Sequence, residues 1–136
     1  MPPLNRNFLE KAKRRLETAK LALNKGYVCS SCSNCYYALF NLMQSVVGNP
    51  PGGKWSHGGL PKNFTEVVYK NRILSKDEIK GIVKTCENLY ALRKLSDYYD
   101  TILESSEEER GKVESYMLKV ERLLNLIEEA YNEQEA

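Results

Sequence analysis

Five residues carry groups from which chemistry could be built: Ser56 and His57 in one loop, and Arg93, Asp97 and Tyr98 in one helical stretch. A guanidinium grips phosphate or carboxylate through paired donors. A carboxylate four residues further on can meet it on a helix surface and orient either it or a ligand hydroxyl. His57 is the only histidine in the chain, so imidazole chemistry must use it or borrow a ring from a partner. Base before acid is the weaker order for the helix dipole, so local helix stability does not select Arg93 followed by Asp97. Two readings stay open at this point. One is a structural ion pair closing the end of a bundle; the other is a binding or catalytic site.

The elements that must position these residues are helices. From Ser75 the pattern Ile79, Ile82, Val83, Cys86, Leu89, Tyr90 recurs every three or four residues, as one face of a helix requires. Continued, that face meets Arg93 and then Asp97, so the core-facing side is expected to carry both charges. Ser75 with Glu78 has capping-box spacing, and the helix runs to about Tyr98 with Gly81 as a weak interior point. Asn7 with Glu10 marks the start of a first helix, striped by Leu9, Ala12, Leu16, Ala19 and Leu23 and stopped at Gly26. Its basic cluster, Lys11, Lys13, Arg14, Arg15 and Lys20, lies mostly off the stripe. It reads as a solvated face, with an RNA-facing role as the alternative. A second helix over Ser30–Val47 is apolar around much of its circumference, which makes it central to a bundle. Tyr36 and Tyr37 are adjacent there, so at least one hydroxyl needs a polar partner or the surface. A loop from Gly48 to Gly59, a short helix from Leu60 to Tyr69, and a last helix capped by Ser106 with Glu109 complete the chain. The fold expected is all-α: an antiparallel up-down bundle of four long helices with one short helix inserted, in a single domain over residues 1–136.

Composition bounds the partners. The 136 residues are 42% apolar and 28% charged with a net charge of +2, so overall charge argues for neither nucleic acid nor membrane. No apolar run is long enough to span a bilayer. The first residues lack the apolar core of an export signal, which points to a reducing, cytoplasmic setting for the four cysteines. Gly48 to Lys54 imitates the start of a phosphate-binding loop. Trp55 follows where Ser or Thr would hold Mg²⁺, and Pro50 and Pro51 remove donors the phosphates would need. Cys29, Cys32 and Cys35 are three apart but have no neighbouring fourth ligand, so they are expected to be buried thiols rather than a metal site. No metal and no cofactor is expected.

Ser33-Asn-Cys-Tyr-Tyr-Ala-Leu-Phe40, then Ser56-His57-Gly58 and Phe64, then Leu92-Arg-Lys-Leu-Ser-Asp-Tyr98 together resemble the HEPN-domain proteins, in particular the small stand-alone archaeal and bacterial ones. The resemblance covers roughly Leu16 to Ile127. It implies a helical bundle, a homodimer, and pairing with a minimal nucleotidyltransferase as toxin and antitoxin. Active members are metal-independent ribonucleases with Arg, four to six residues, then His. Arg93 matches that Arg, whereas the possible His positions hold Tyr98, Tyr99 and Asp100. The reading that follows is a nucleotide- or RNA-interacting subunit without strong catalysis, in which Arg93, Asp97, His57, Tyr98 and Ser56 contact the ligand. A ribonuclease using Arg93 with His57 or Tyr98 is the alternative, and a purely structural interaction module is the third.

Chain direction adds one expectation. If the loop stays at the end where the second helix finishes, the short helix descends and the helix from Ser75 climbs back. Arg93, Asp97, Tyr98 and His57 would then share that end, within a turn or two.

Overall fold

Asparagine starts the first helix, but it is Asn5 rather than Asn7. In the computed structural model, α1 spans Arg6–Asn24, and the Asn5 side chain accepts the Phe8 N–H at 3.1 Å. The Asn5 N–H donates to the Ser45 carbonyl at 2.7 Å. That bond to the end of the next helix fixes where α1 begins and overrides the spacing of Asn7 with Glu10. The structure describes residues 1–50, 52–98 and 107–135, and the side chains of 96–98 and 135 lie outside that description.

Gly26, at φ 81°, ends α1, because an L-residue with a Cβ is disfavoured there. The second helix, α2 (Val28–Val47), follows at once. It starts two residues before the expected Ser30 because Val28 is fully buried and belongs to the packing. As its broad apolar circumference demands, α2 packs against every other helix. Cys32, Cys35, Tyr36, Leu39, Leu42 and Met43 are all buried on it. Burial of a side chain the size of Leu stabilises by roughly 1.5–3 kcal/mol. Ser31 and Ser45 are also buried, and their hydroxyls donate to the carbonyls of Ala19 and Leu42.

The short helix α3 covers Gly59–Lys70, α4 covers Lys76–Tyr98, and α5 covers Glu107–Glu135. Ser75 and Glu78 make both bonds of their capping box, at 2.9 and 3.1 Å. The expected Ser106 cap of the last helix falls outside the described residues. Lys13 pairs with Glu128 at 2.9 Å and Lys20 with Glu121, so α1 and α5 run antiparallel. Tyr131 then donates to the Pro2 carbonyl at 2.9 Å. The four long helices alternate in direction, as an up-down bundle requires. Among the described residues there is no strand, and no helix is long and apolar enough to cross a membrane.

The route of the chain differs from the expectation. Take the end where α2 finishes as the upper end. Met1, Arg72 and Glu133 line one shallow pocket, so the turn before α4 is also at the upper end. Thus α3 climbs and α4 descends. The descent is made by the Gly48–Gly58 segment itself. Eleven residues can reach about 35 Å when extended, and the drop from Val47 to Tyr36 along α2 is only about 17 Å. Trp55 donates its indole N–H to the Gly48 carbonyl at 2.6 Å, which ties this strap to the helix end. The buried stripe of α4 is also corrected. It runs Ile82, Cys86, Leu89, Leu92, leaving Arg93 half-buried at its margin rather than on the core-facing side.

Candidate functional site

Long helical side chains lean toward the N-terminus of their own helix. On antiparallel α2 and α4 that lean is convergent: Tyr36 and Tyr37 reach down and Arg93 reaches up. The Arg93 guanidinium carbon lies 5.2 Å from the Tyr36 ring centre and 4.8 Å from that of Tyr37, within cation–π range. Arg15 of α1 lies 5.3 Å from the same Tyr37 ring, so one phenol has two guanidinium neighbours. Tyr90, one turn before Arg93, packs 5.8 Å from Tyr36.

The strap delivers His57 into this group. Its ring centre is 4.4 Å from Tyr90, 5.7 Å from Tyr36 and 6.3 Å from Phe40. The Tyr36 hydroxyl is bonded to His57 Nδ1. Burial, with smaller contributions from neighbouring groups, pushes the Tyr36 phenol well above its ordinary pKa, so it keeps its proton. Among the described residues that proton has no other acceptor, so the O–H donates to Nδ1 and the imidazole proton sits on Nε2. The His57 pKa is lowered, first because its packed face loses water and then because Arg93 and Lys94 stand nearby. At neutral pH the site therefore holds a neutral imidazole among cations.

Beside it opens a pocket of about 330 Å³ between the first turns of α3 and the middle of α4. Its walls include His57, Pro61, Thr65, Val83, Glu87 and Tyr90. A cavity of that size admits a small planar ligand, and Tyr90 and His57 offer aromatic faces against which a base can stack. Lys94 lies 5.4 Å from the Tyr90 ring centre, adding a cation at the rim.

Of the residues singled out from sequence, His57 and Arg93 meet on Tyr36, although the chain arrives there by another route. Ser56 is exposed and its hydroxyl accepts the Gly59 N–H at 2.8 Å, at the start of α3. A Cβ on Gly59 would come within 2.7 Å of that hydroxyl, so a larger residue there would turn the Ser56 side chain away and break this bond. Asp97 and Tyr98 occupy the last turn of α4, but their side chains lie outside the described part. Sequence reasoning missed Tyr90, which reads as one more member of an apolar stripe, and Arg15, which reads as one of several surface cations. The adjacency of Tyr36 and Tyr37 was the signal, and the polar partner that it demands is His57.

Of the four cysteines, Cys86 lines this pocket and the other three lie on α2. Cys32 and Cys35 are buried and Cys29 half-buried. Burial pushes the Cys35 thiol up, and Cys32 adds to the effect. Burial, with Glu87 second, pushes Cys86 up to about 11. Among the described residues no three His, Cys, Asp or Glu side chains are grouped to hold a metal ion.

A family model described as the HEPN domain matches residues 6–130. The curated proteins contain no match to the chain.

Proposed function

Because the chain belongs to the HEPN domain family, we propose that it is a nucleotide- or RNA-interacting subunit whose contact site is centred on Tyr36. It would work as a homodimer beside a minimal nucleotidyltransferase, in a toxin–antitoxin-like pair. One observation carries the ligand reading: His57 and Tyr90, which line an open pocket, gather on Tyr36 together with Arg93. A base stacks on Tyr90 and His57, Arg93 contacts phosphate, and Nε2–H of His57 donates to an oxygen. Asp97 is assigned to orienting Arg93 or a ligand hydroxyl, with Ser56 and Tyr98 at the edge. The test is equilibrium binding of labelled nucleotides and short RNA to the wild type, Tyr90→Ala and Arg93→Ala. Each variant should weaken binding about tenfold or more, the range of one lost stacking or charge-assisted contact. Unaltered affinity in both variants sinks the reading. The partner is tested by co-expression with a minimal nucleotidyltransferase and co-elution.

A second reading has its own observation in favour. The strap supplies, next to Arg93, the imidazole that the stretch after Arg93 lacks. In the other tautomer, with Nδ1–H donating to the Tyr36 oxygen, Nε2 of neutral His57 takes a proton from a ribose 2′-hydroxyl as that oxygen attacks the adjacent phosphate, while Arg93 stabilises the added charge. The imidazolium then gives that proton to the 5′-oxygen as its bond to phosphorus breaks, leaving a 2′,3′-cyclic phosphate and a neutral His57. Metal-independent cleavage with that product, lost in His57→Ala, would select this reading.

A further inference from the structure

The basic residues of α1 divide into two sets. Lys13 and Lys20 turn toward α5, where Glu128 and Glu121 neutralise them, and Glu10 and Glu17 lie with them. Lys11, Arg14 and Arg15 turn toward α2. Among the described residues none of the three has a carboxylate partner. With Thr18, Asn34 and Asn41 they line an open groove of about 480 Å³ along the α1–α2 seam. Its walls contain cations, amides and a hydroxyl, and no acid. The amide oxygen of Asn34 accepts from Arg15 at 3.4 Å, which holds the guanidinium over Tyr37.

Tyr37 joins this groove to the site. Arg15 stands 5.3 Å from its ring centre and Arg93 stands 4.8 Å from it. The two guanidinium carbons are therefore no more than about 10 Å apart, so a single polyanion can touch both.

We propose that the α1–α2 groove is the backbone track for a single-stranded RNA whose end base enters the Tyr90–His57 pocket. Lys11, Arg14 and Arg15 take successive phosphates, and Tyr37 marks the passage from groove to pocket. The inference rests on the nucleotide reading above and extends it from one nucleotide to a strand. Stacking faces beside a cation track suit a single strand, since bases paired in a duplex cannot be laid open on tyrosines. An acidic protein would need the cations but not the aromatic pocket.

The test measures affinity for a fluorescent twelve-nucleotide RNA across a salt series. The Lys11→Ala/Arg14→Ala double variant changes two exposed side chains, and circular dichroism checks its fold. Its affinity at 0.1 M salt should fall roughly 10- to 30-fold, and its log–log salt slope should flatten by about 1.4, the release from two phosphates. Mononucleotide binding should be unchanged. Lys13→Ala/Lys20→Ala removes the same charge from the α5 side and should leave the slope as in the wild type. No RNA binding by the wild type, equal slopes for both double variants, or equally tight binding of duplex RNA or polyglutamate each overturns the track. If the groove pair has no effect while Tyr90→Ala and Arg93→Ala do, the track falls and the site reading stands. If the groove pair acts and the pocket variants do not, the site reading falls, and with it the entry of the end base into the pocket.

Discussion

Replacing Tyr36 with Phe removes one oxygen and leaves a ring that is only 1% exposed in place. The loss is then close to one hydrogen bond, the one from the phenol to His57 Nδ1. A neutral bond of this kind contributes about 0.5–1.5 kcal/mol net. Because His57 is exposed, its freed nitrogen regains water, which places the cost in the lower half, about 0.5–1 kcal/mol. For a chain of this length that is a fall in Tm of about 2–4 °C. His57→Ala loses the same bond and the ring contact with Tyr90, for about 1–2 kcal/mol. The double variant should cost less than the sum by about 0.5–1 kcal/mol, the energy counted twice. The assay is urea unfolding read in two ways, by ellipticity for the helices and by fluorescence of Trp55, the sole tryptophan. Trp55 sits in the strap itself, so in His57→Ala its transition should precede the helical one, whereas in the wild type the two coincide. Strict additivity of the two substitutions, with coincident transitions throughout, would falsify the claim that this bond anchors the strap.

The lone histidine gives a clean proton titration. Its pKa should lie below the ordinary value, and Arg93→Gln should move it upward, because a nearby cation is removed; an unchanged or lower value defeats the electrostatic account. A lowered folded pKa means the unfolded chain takes up the proton first, so His57 contributes stability above pH 6.5 that is lost as pH falls through its folded pKa. His57→Gln should therefore flatten the loss between pH 6.5 and the onset of carboxylate titration, and an identical slope in both proteins refutes it. A thiol reagent at neutral pH should modify Cys29 first, with Cys32, Cys35 and Cys86 reacting only on unfolding, since burial keeps the thiols of Cys35 and Cys86 protonated. Asn5→Ala should cost about 1 kcal/mol by urea unfolding and Asn7→Ala under about 0.5; equal costs would return the cap to Asn7.

Most of the helices were legible because their stripes are strong. Leu9, Ala12, Leu16, Ala19 and Leu23 are all buried as their spacing demands, and Ser75 with Glu78 caps as its spacing demands. Periodicity reports which face is buried, but it carries no information on the path of a loop. For that reason the strap from Gly48 was expected to stay at one end, when it runs down the bundle. Arg93 illustrates a finer limit. A stripe that steps by three, from Cys86 to Leu89 to Leu92, turns a helix face just enough to leave the next polar residue at the rim. The site was partly hidden because its aromatic members, Tyr36 and Tyr90, look like core until the histidine that needs them is placed beside them.

The contacts that seal α5 onto α1 impose an order in time. Lys13 waits for Glu128, Lys20 for Glu121, and the Pro2 carbonyl for Tyr131. On a ribosome adding about 5–20 residues per second, the α1–α2 hairpin emerges about 4–17 seconds before its last cover. Throughout that interval the α5-facing sides of α1 and α2 are open to water. The nascent chain thus carries an uncovered apolar face until α5 is translated, and substitutions that weaken α5 lengthen an exposure every newly made copy must pass through.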